Sequence, residues 1–132
     1  MFTPEKIEKL ESNEIFVFGS NLAGRHGGGA AKLAYDKFGA QWGIGEGITG
    51  QCYAFPTLDE NYNKVHLVNI ISSFVKLYQV ANNKPNLTFY LTKIGLGIAG
   101  FKVEDILACI RVVNDSLTCP NNIMFPKEFC YG

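Results

Sequence analysis

The chain of 132 residues carries no excess charge: Lys and Arg together number 12, as do Asp and Glu. It therefore sets up no overall field to draw in a polyanion, which argues against a double-stranded nucleic-acid binder or a membrane-surface protein. The four cysteines, Cys52, Cys109, Cys119 and Cys130, form no C-x-x-C pair, and there are only two histidines. Metal and redox roles are thus poorly supported, and the cysteines read as small, reduced, partly buried apolar residues. No apolar run is long enough to span a bilayer, and Met1-Phe2-Thr3-Pro4-Glu5-Lys6 lacks a signal-peptide core. The expected location is the cytoplasm. Repeats and low-complexity tracts are also missing. With 47% hydrophobic and 18% charged residues, one globular domain is expected over residues 1–132.

Periodicity supplies the elements. Thr3-Pro4 reads as a helix start, with Ile7 and Leu10 as the apolar stripe of a short helix. Ile15-Phe16-Val17-Phe18 is a short continuous apolar run, the mark of a strand buried on both faces. A turn-rich stretch, Asn21 to Gly29, leads into a helix from Ala30 to Phe38 that Gly39 stops. Gly39 to Gly50 is too rich in glycine for a regular element. Gln51 to Phe55 reads as a strand ended by Pro56, and Asp59 to Lys64 as a polar connection. Leu67, Ile70, Ile71, Phe74, Leu77, Tyr78 and Ala81 recur at helical spacing until Asn82-Asn83-Lys84-Pro85. Leu87 to Ile94 is a further strand, Val103 to Leu117 an amphipathic helix, and Ile123-Met124-Phe125 a last strand. Strands alternating with helices imply an α/β fold: a mostly parallel sheet with helices on both faces.

Strand, glycine-rich loop and helix occur in that order twice, at Ile15–Phe38 and at Leu87–Leu117. In a parallel sheet both loops emerge where ligands bind, at the carboxyl ends of strands. Glycine lets backbone approach an oxyanion without a Cβ between them, and the next helix offers unpaired N–H groups and a positive dipole end. A helix end contributes only about 0.3–1 kcal/mol of field, so N–H bonds must carry most of any phosphate binding. Two such loops suit a diphosphate. Gly95-Leu96-Gly97-Ile98-Ala99-Gly100 also matches the G-x-G-x-x-G of a dinucleotide-binding Rossmann unit. That unit needs an acidic residue ending the next strand about twenty residues on, and here Asp115 falls inside a helix. A P-loop is excluded, since neither loop ends in G-K-[ST].

Phe18-Gly19-Ser20-Asn21, Gly27-Gly28-Gly29-Ala30-Ala31 and Lys93-Ile94-Gly95-Leu96-Gly97-Ile98-Ala99-Gly100-Phe101, in this order, resemble the macrodomain family of ADP-ribose readers and erasers. Residues 27 to 39 are also similar to the helix of the subgroup that includes terminal ADP-ribose glycohydrolases. The resemblance spans about Ile15 to Leu117 and implies a three-layer sandwich that binds ADP-ribose or a related nucleotide. It implies that Asn21 hydrogen-bonds the distal ribose, with Gly19 and Ser20 also among the ligand-binding residues, and that Gly27, Gly28 and Gly29 shape its pocket. Gly95, Gly97, Ile98, Ala99, Gly100 and Phe101 would then cradle the diphosphate. Asn21 is equally suited to an Asx turn, and Phe101 to the apolar face of the following helix.

The pattern also departs from the family. A helix is expected where many macrodomains have an adenine-reading strand. Ala31 stands where de-ADP-ribosylating members often have an aspartate, and Ala99 where the glycohydrolase subgroup has one; that subgroup's lysine has no clear counterpart. His26, expected on an exposed loop beside the glycines, is the remaining candidate acid or base. Arg25 could clamp a phosphate, Trp42 could stack a base or plug the core, and His66 reads as structural. Three readings stay open: a binder of ADP-ribose or a related nucleotide, a hydrolase of ADP-ribosyl or phosphate-ester bonds on the same fold, and a Rossmann-like module. The expected partner is a small nucleotide, free or attached to an ADP-ribosylated macromolecule, with no metal or cofactor of the protein's own.

Overall fold

The apolar run at residues 15–18 forms the middle of β1 (Glu14–Asn21), and its alternation divides the core in two. The computed structural model describes residues 1–130. Ile15 and Val17 point to one face of the sheet, among Phe74 and Leu77 of α2 (Leu67–Asn83) and Ile106 and Ile110 of α3 (Val103–Ser116). Phe16 and Phe18 point to the other, against Ala31 and Ala34 of α1 (Gly29–Lys37) and the ring of Phe38. Full burial of each such side chain contributes about 1.5–3 kcal/mol.

β1 is flanked by β3 (Cys52–Leu58) and β4 (Thr88–Leu91), both parallel to it. The order across the sheet is β2-β3-β1-β4-β5, with β2 at Gly47–Thr49 and β5 at Ile123–Met124. The sheet is mixed, because β2 runs antiparallel to β3. This short strand lies inside the glycine-rich stretch that periodicity left irregular. Pro56 does not end β3: β2 pairs only with residues 52–54, so at position 56 that side of β3 has no partner for a proline to deny.

The expected helix after Pro4 is absent. Thr3 is held by the sheet instead: its N–H donates to the Phe125 carbonyl, 2.9 Å, and its hydroxyl lies 2.7 and 2.8 Å from the Leu91 and Met124 carbonyls. Phe2 bridges Phe125 in parallel, while Ile7 and Leu10 lean on the α1-side core without a helical turn. A helix of so few residues is marginal alone, and the sheet offers these backbone groups better partners. The strand expected over 87–94 is regular only over Thr88–Leu91. Asn122 closes the carboxyl end of α2, its amide reaching the carbonyls of Ala81, Lys84 and Leu87 at 2.9–3.2 Å. No helix among the described residues is long and apolar enough to cross a membrane.

Candidate functional site

From β1 the chain moves to β3 on one side, then returns across β1 to place β4 on the other. The order thus reverses between β1 and β4, and the crevice at their carboxyl ends is where open α/β sheets take ligands. A cleft of about 610 Å³ opens there. Gly19, Ser20 and Asn21 line it from the end of β1, Gly27, Gly28 and Gly29 from the first glycine loop, and Gly95, Gly97, Ile98 and Ala99 from the second. The two loops singled out in the sequence therefore meet at one place.

Both present unpaired backbone donors. Gly28 caps α1 with no side-chain bond, and no acidic residue sits in the first turn. The first amide of α1 to find a carbonyl is that of Lys32, on Gly28 at 3.2 Å, so those of Gly29, Ala30 and Ala31 have no acceptor among the described residues. In the second loop Gly100 donates to Gly97 and Phe101 to Gly95, at 3.0 and 2.8 Å, whereas the amides of Gly97, Ile98 and Ala99 have no acceptor among the described residues. A Cβ at position 27, 28, 29 or 97 would meet nothing within 4 Å, so packing does not explain these glycines. Gly24 and Gly45 differ. A Cβ there would lie 2.3 Å from the Gly43 carbonyl carbon and 2.5 Å from the Asn21 carbonyl oxygen, so these two glycines let the loop of residues 39–50 sit flat on the end of β1.

The charge in the cleft is of one sign. Arg25 and Lys93 line it, and no Asp or Glu does among the described residues. Lys93 is shared with Glu5 and Glu128, at 3.5 and 3.6 Å. Arg25 has no carboxylate partner among the described residues; it donates to the Tyr62 hydroxyl at 3.3 Å and lies 5.9 Å from that ring's centre. Tyr62 is the one non-glycine residue with positive φ among those described, at 64°, a conformation that costs about 1–2 kcal/mol. The Asp59 turn holds it there: its carboxylate accepts from the amides of Asn61 and Asn63, and its carbonyl from that of Tyr62.

Three expectations are corrected by the geometry. His26 is not on an exposed loop: it is 1% exposed and does not line the cleft. Its Nε2 faces the Gln41 carbonyl at 2.8 Å, and its ring is packed among Phe18, Tyr35 and Trp42. The chain folds back at Gly43, whose amide donates to Gly24, and this return closes over the histidine. Phe101 is buried in the α2–α3 core beneath the second loop, and Gly100 likewise does not line the cleft. Finally, no residue of α3 lines the cleft, and its first turn carries Glu104 and Asp105, whose charge opposes an anion there; the Asp105 carboxylate accepts from the Lys102 amide. An anion at this loop would therefore have to be held by the loop amides themselves.

Asn21 is both cleft wall and turn. Its Nδ2 donates to the Arg25 carbonyl at 2.8 Å and its Oδ1 accepts from the Arg25 amide at 3.0 Å, leaving one hydrogen and one lone pair unused. Thr57, Leu58, Tyr62 and Thr92 also line the cleft and were not singled out in the sequence. Tyr62 had one available signal, an aromatic residue in an otherwise polar turn. The chain matches no protein-family model, no curated protein and no solved structure.

Proposed function

We propose that the cleft binds ADP-ribose or a related nucleotide diphosphate. The observation that carries this reading is the pair of unpaired amide sets, from 29–31 and 97–99, lining one cleft with Arg25 and Lys93 and no carboxylate among the described residues. Hydrogen bonds to a charged group contribute about 1.5–3 kcal/mol each, so a few of them supply most of a micromolar affinity. A second cavity of about 530 Å³ shares Ala30, Thr92 and Lys93 with the cleft. It is walled by Pro4, Phe16, Leu33 and Pro126, and would take the adenosine end while the diphosphate lies across the glycine loops. The resemblance to macrodomains, and the placing of α1 opposite α2 and α3, agree with this arrangement.

Binding is preferred to hydrolysis within this reading. Ala31 and Ala99 line the cleft where similar enzymes hold an aspartate, and a methyl group neither accepts nor donates a proton. His26 is enclosed behind the wall. Titration calorimetry and thermal unfolding with ADP-ribose, ADP-ribose phosphates, NAD and ATP test the proposal. ADP-ribose is expected to bind with a Kd in the micromolar range, about −8 kcal/mol. No heat and no melting shift at millimolar ligand would overturn it.

A further inference from the structure

The cleft has a second end. The adjoining cavity and second glycine loop lie on the β4 side of β1, whereas Tyr62 follows β3 on the opposite side. Arg25 reaches Tyr62 there, and Trp42, which also lines the cleft, precedes Gly43, whose backbone packs on that of Gly24 next to Arg25. Trp42 is 55% exposed, although its loop is firmly anchored: the Gln41 carbonyl is held by His26, the Gly43 amide by Gly24, and the Gly45 carbonyl by the Ser20 hydroxyl. Its indole meets Tyr35 and His26 at 74° and 73°, so neither ring stacks on it in parallel. Tyr62 is held in the cleft wall in a conformation that tyrosine rarely adopts. Arg25 brings a charge that no carboxylate among the described residues neutralises.

Exposed aromatic faces beside a guanidinium that carries no ion pair are the means by which proteins hold a base next to a phosphate. Resting on the nucleotide-diphosphate reading, we infer that this end is a subsite for a planar aromatic base carried on the distal ribose. The base stacks on Trp42 or Tyr62, and Arg25 takes an adjacent anionic group. The ligand is thus a nucleotide diphosphate with a ring at each end. Its distal base belongs either to a free dinucleotide or to a single-stranded oligonucleotide bearing the ADP-ribosyl group. The balanced charge of the whole chain is no obstacle, because one base and one phosphate require one cation, not a basic face.

The test measures Kd for ADP-ribose, diadenosine diphosphate, and a short single-stranded oligonucleotide ADP-ribosylated on one base, with wild type, Trp42→Ala, Trp42→Phe and Arg25→Gln. At least one base-bearing ligand is expected to bind about tenfold tighter than ADP-ribose, a gain that Trp42→Ala removes and Trp42→Phe largely restores. Loss on Arg25→Gln confined to the oligonucleotide, whose wild-type binding has the steeper salt dependence that the substitution flattens, identifies the strand as the source; preference for diadenosine diphosphate identifies the free dinucleotide. If ADP-ribose binds and neither base-bearing ligand gains, or Trp42→Ala weakens all three equally, the subsite is refuted and the nucleotide reading stands. If none of the three binds, both are overturned.

Discussion

Substituting Gly28 with valine separates a glycine that serves a ligand from one that serves the fold. Gly28 has φ −156° and ψ 162°, extended backbone open to any residue, and a Cβ there meets nothing within 4 Å. The structural cost is the poorer helix cap that valine makes, about 1 kcal/mol or less. Branched carbons beside the amides of Gly29 to Ala31 would hold a phosphate out of hydrogen-bonding distance. Losing two charge-assisted bonds of about 1.5–3 kcal/mol each weakens binding by a hundredfold or more. Gly97→Val should act in the same way from the second loop. Gly24→Ala is the contrast: the added carbon lies 2.3 Å from backbone at Gly43, and φ is 70°. Left-handed strain of about 1–2 kcal/mol and overpacking of about 1–3 kcal/mol should lower Tm by roughly 10 °C. The assays are thermal unfolding by circular dichroism and calorimetry with ADP-ribose. Gly28→Val and Gly97→Val proteins that are folded and bind as wild type would show that the loops are not the site. Variants that fail to fold would show that these glycines serve the structure.

Two further outcomes are expected. Ala30→Asp places a carboxylate in the exposed first turn of α1, where it adds about 0.3–1 kcal/mol of stability while repelling an anionic ligand; Tm should rise as ADP-ribose affinity falls, and a fall in both would refute the reasoning. Burial raises the Cys52 thiol from its ordinary value of 9.0 to about 11, although Thr49 opposes the shift. A raised folded-state value means that the proton's stabilisation is complete below pH 9 and is lost as pH climbs towards 11. Chemical denaturation should therefore show a decline of about 2 kcal/mol across that window, much reduced in Cys52→Ala relative to its own neutral-pH stability.

The parts of this fold that could be read from residues are those in which one property repeats. The double-sided burial of residues 15–18, the apolar stripe of α2 and the two glycine loops are local patterns, and each element forms where its pattern lies. What escaped depends on partners distant in sequence. Thr3 could cap a helix or be bonded by a sheet, and only the presence of Leu91 and Met124 beside it decides. Pro56 reads as a stop until the neighbouring strand is seen to have ended first. His26 looks exposed among glycines, since nothing nearby announces that residues 39–50 return to cover it. The glycines of the cleft and those of the core also look alike in a string of letters. Only the backbone angle and the space around each separate Gly28 from Gly24.

The backbone contact between Gly24 and Gly43 joins the glycine-loop segment to the loop carrying Trp42 with no flexible side chain between them. A displacement of either segment would be felt by the other, so on the proposed reading occupancy at the two ends of the cleft would be thermodynamically linked. Whatever factor a ring on Trp42 contributes to the hold on a phosphate, the phosphate must return to the ring, because the two routes to the doubly occupied protein share the same end states. Measured with separate fragments, such as a free nucleoside and inorganic pyrophosphate, the two coupling constants must be equal. Exchanging the Gly24–Gly43 contact for a pliable one would drive both towards unity together.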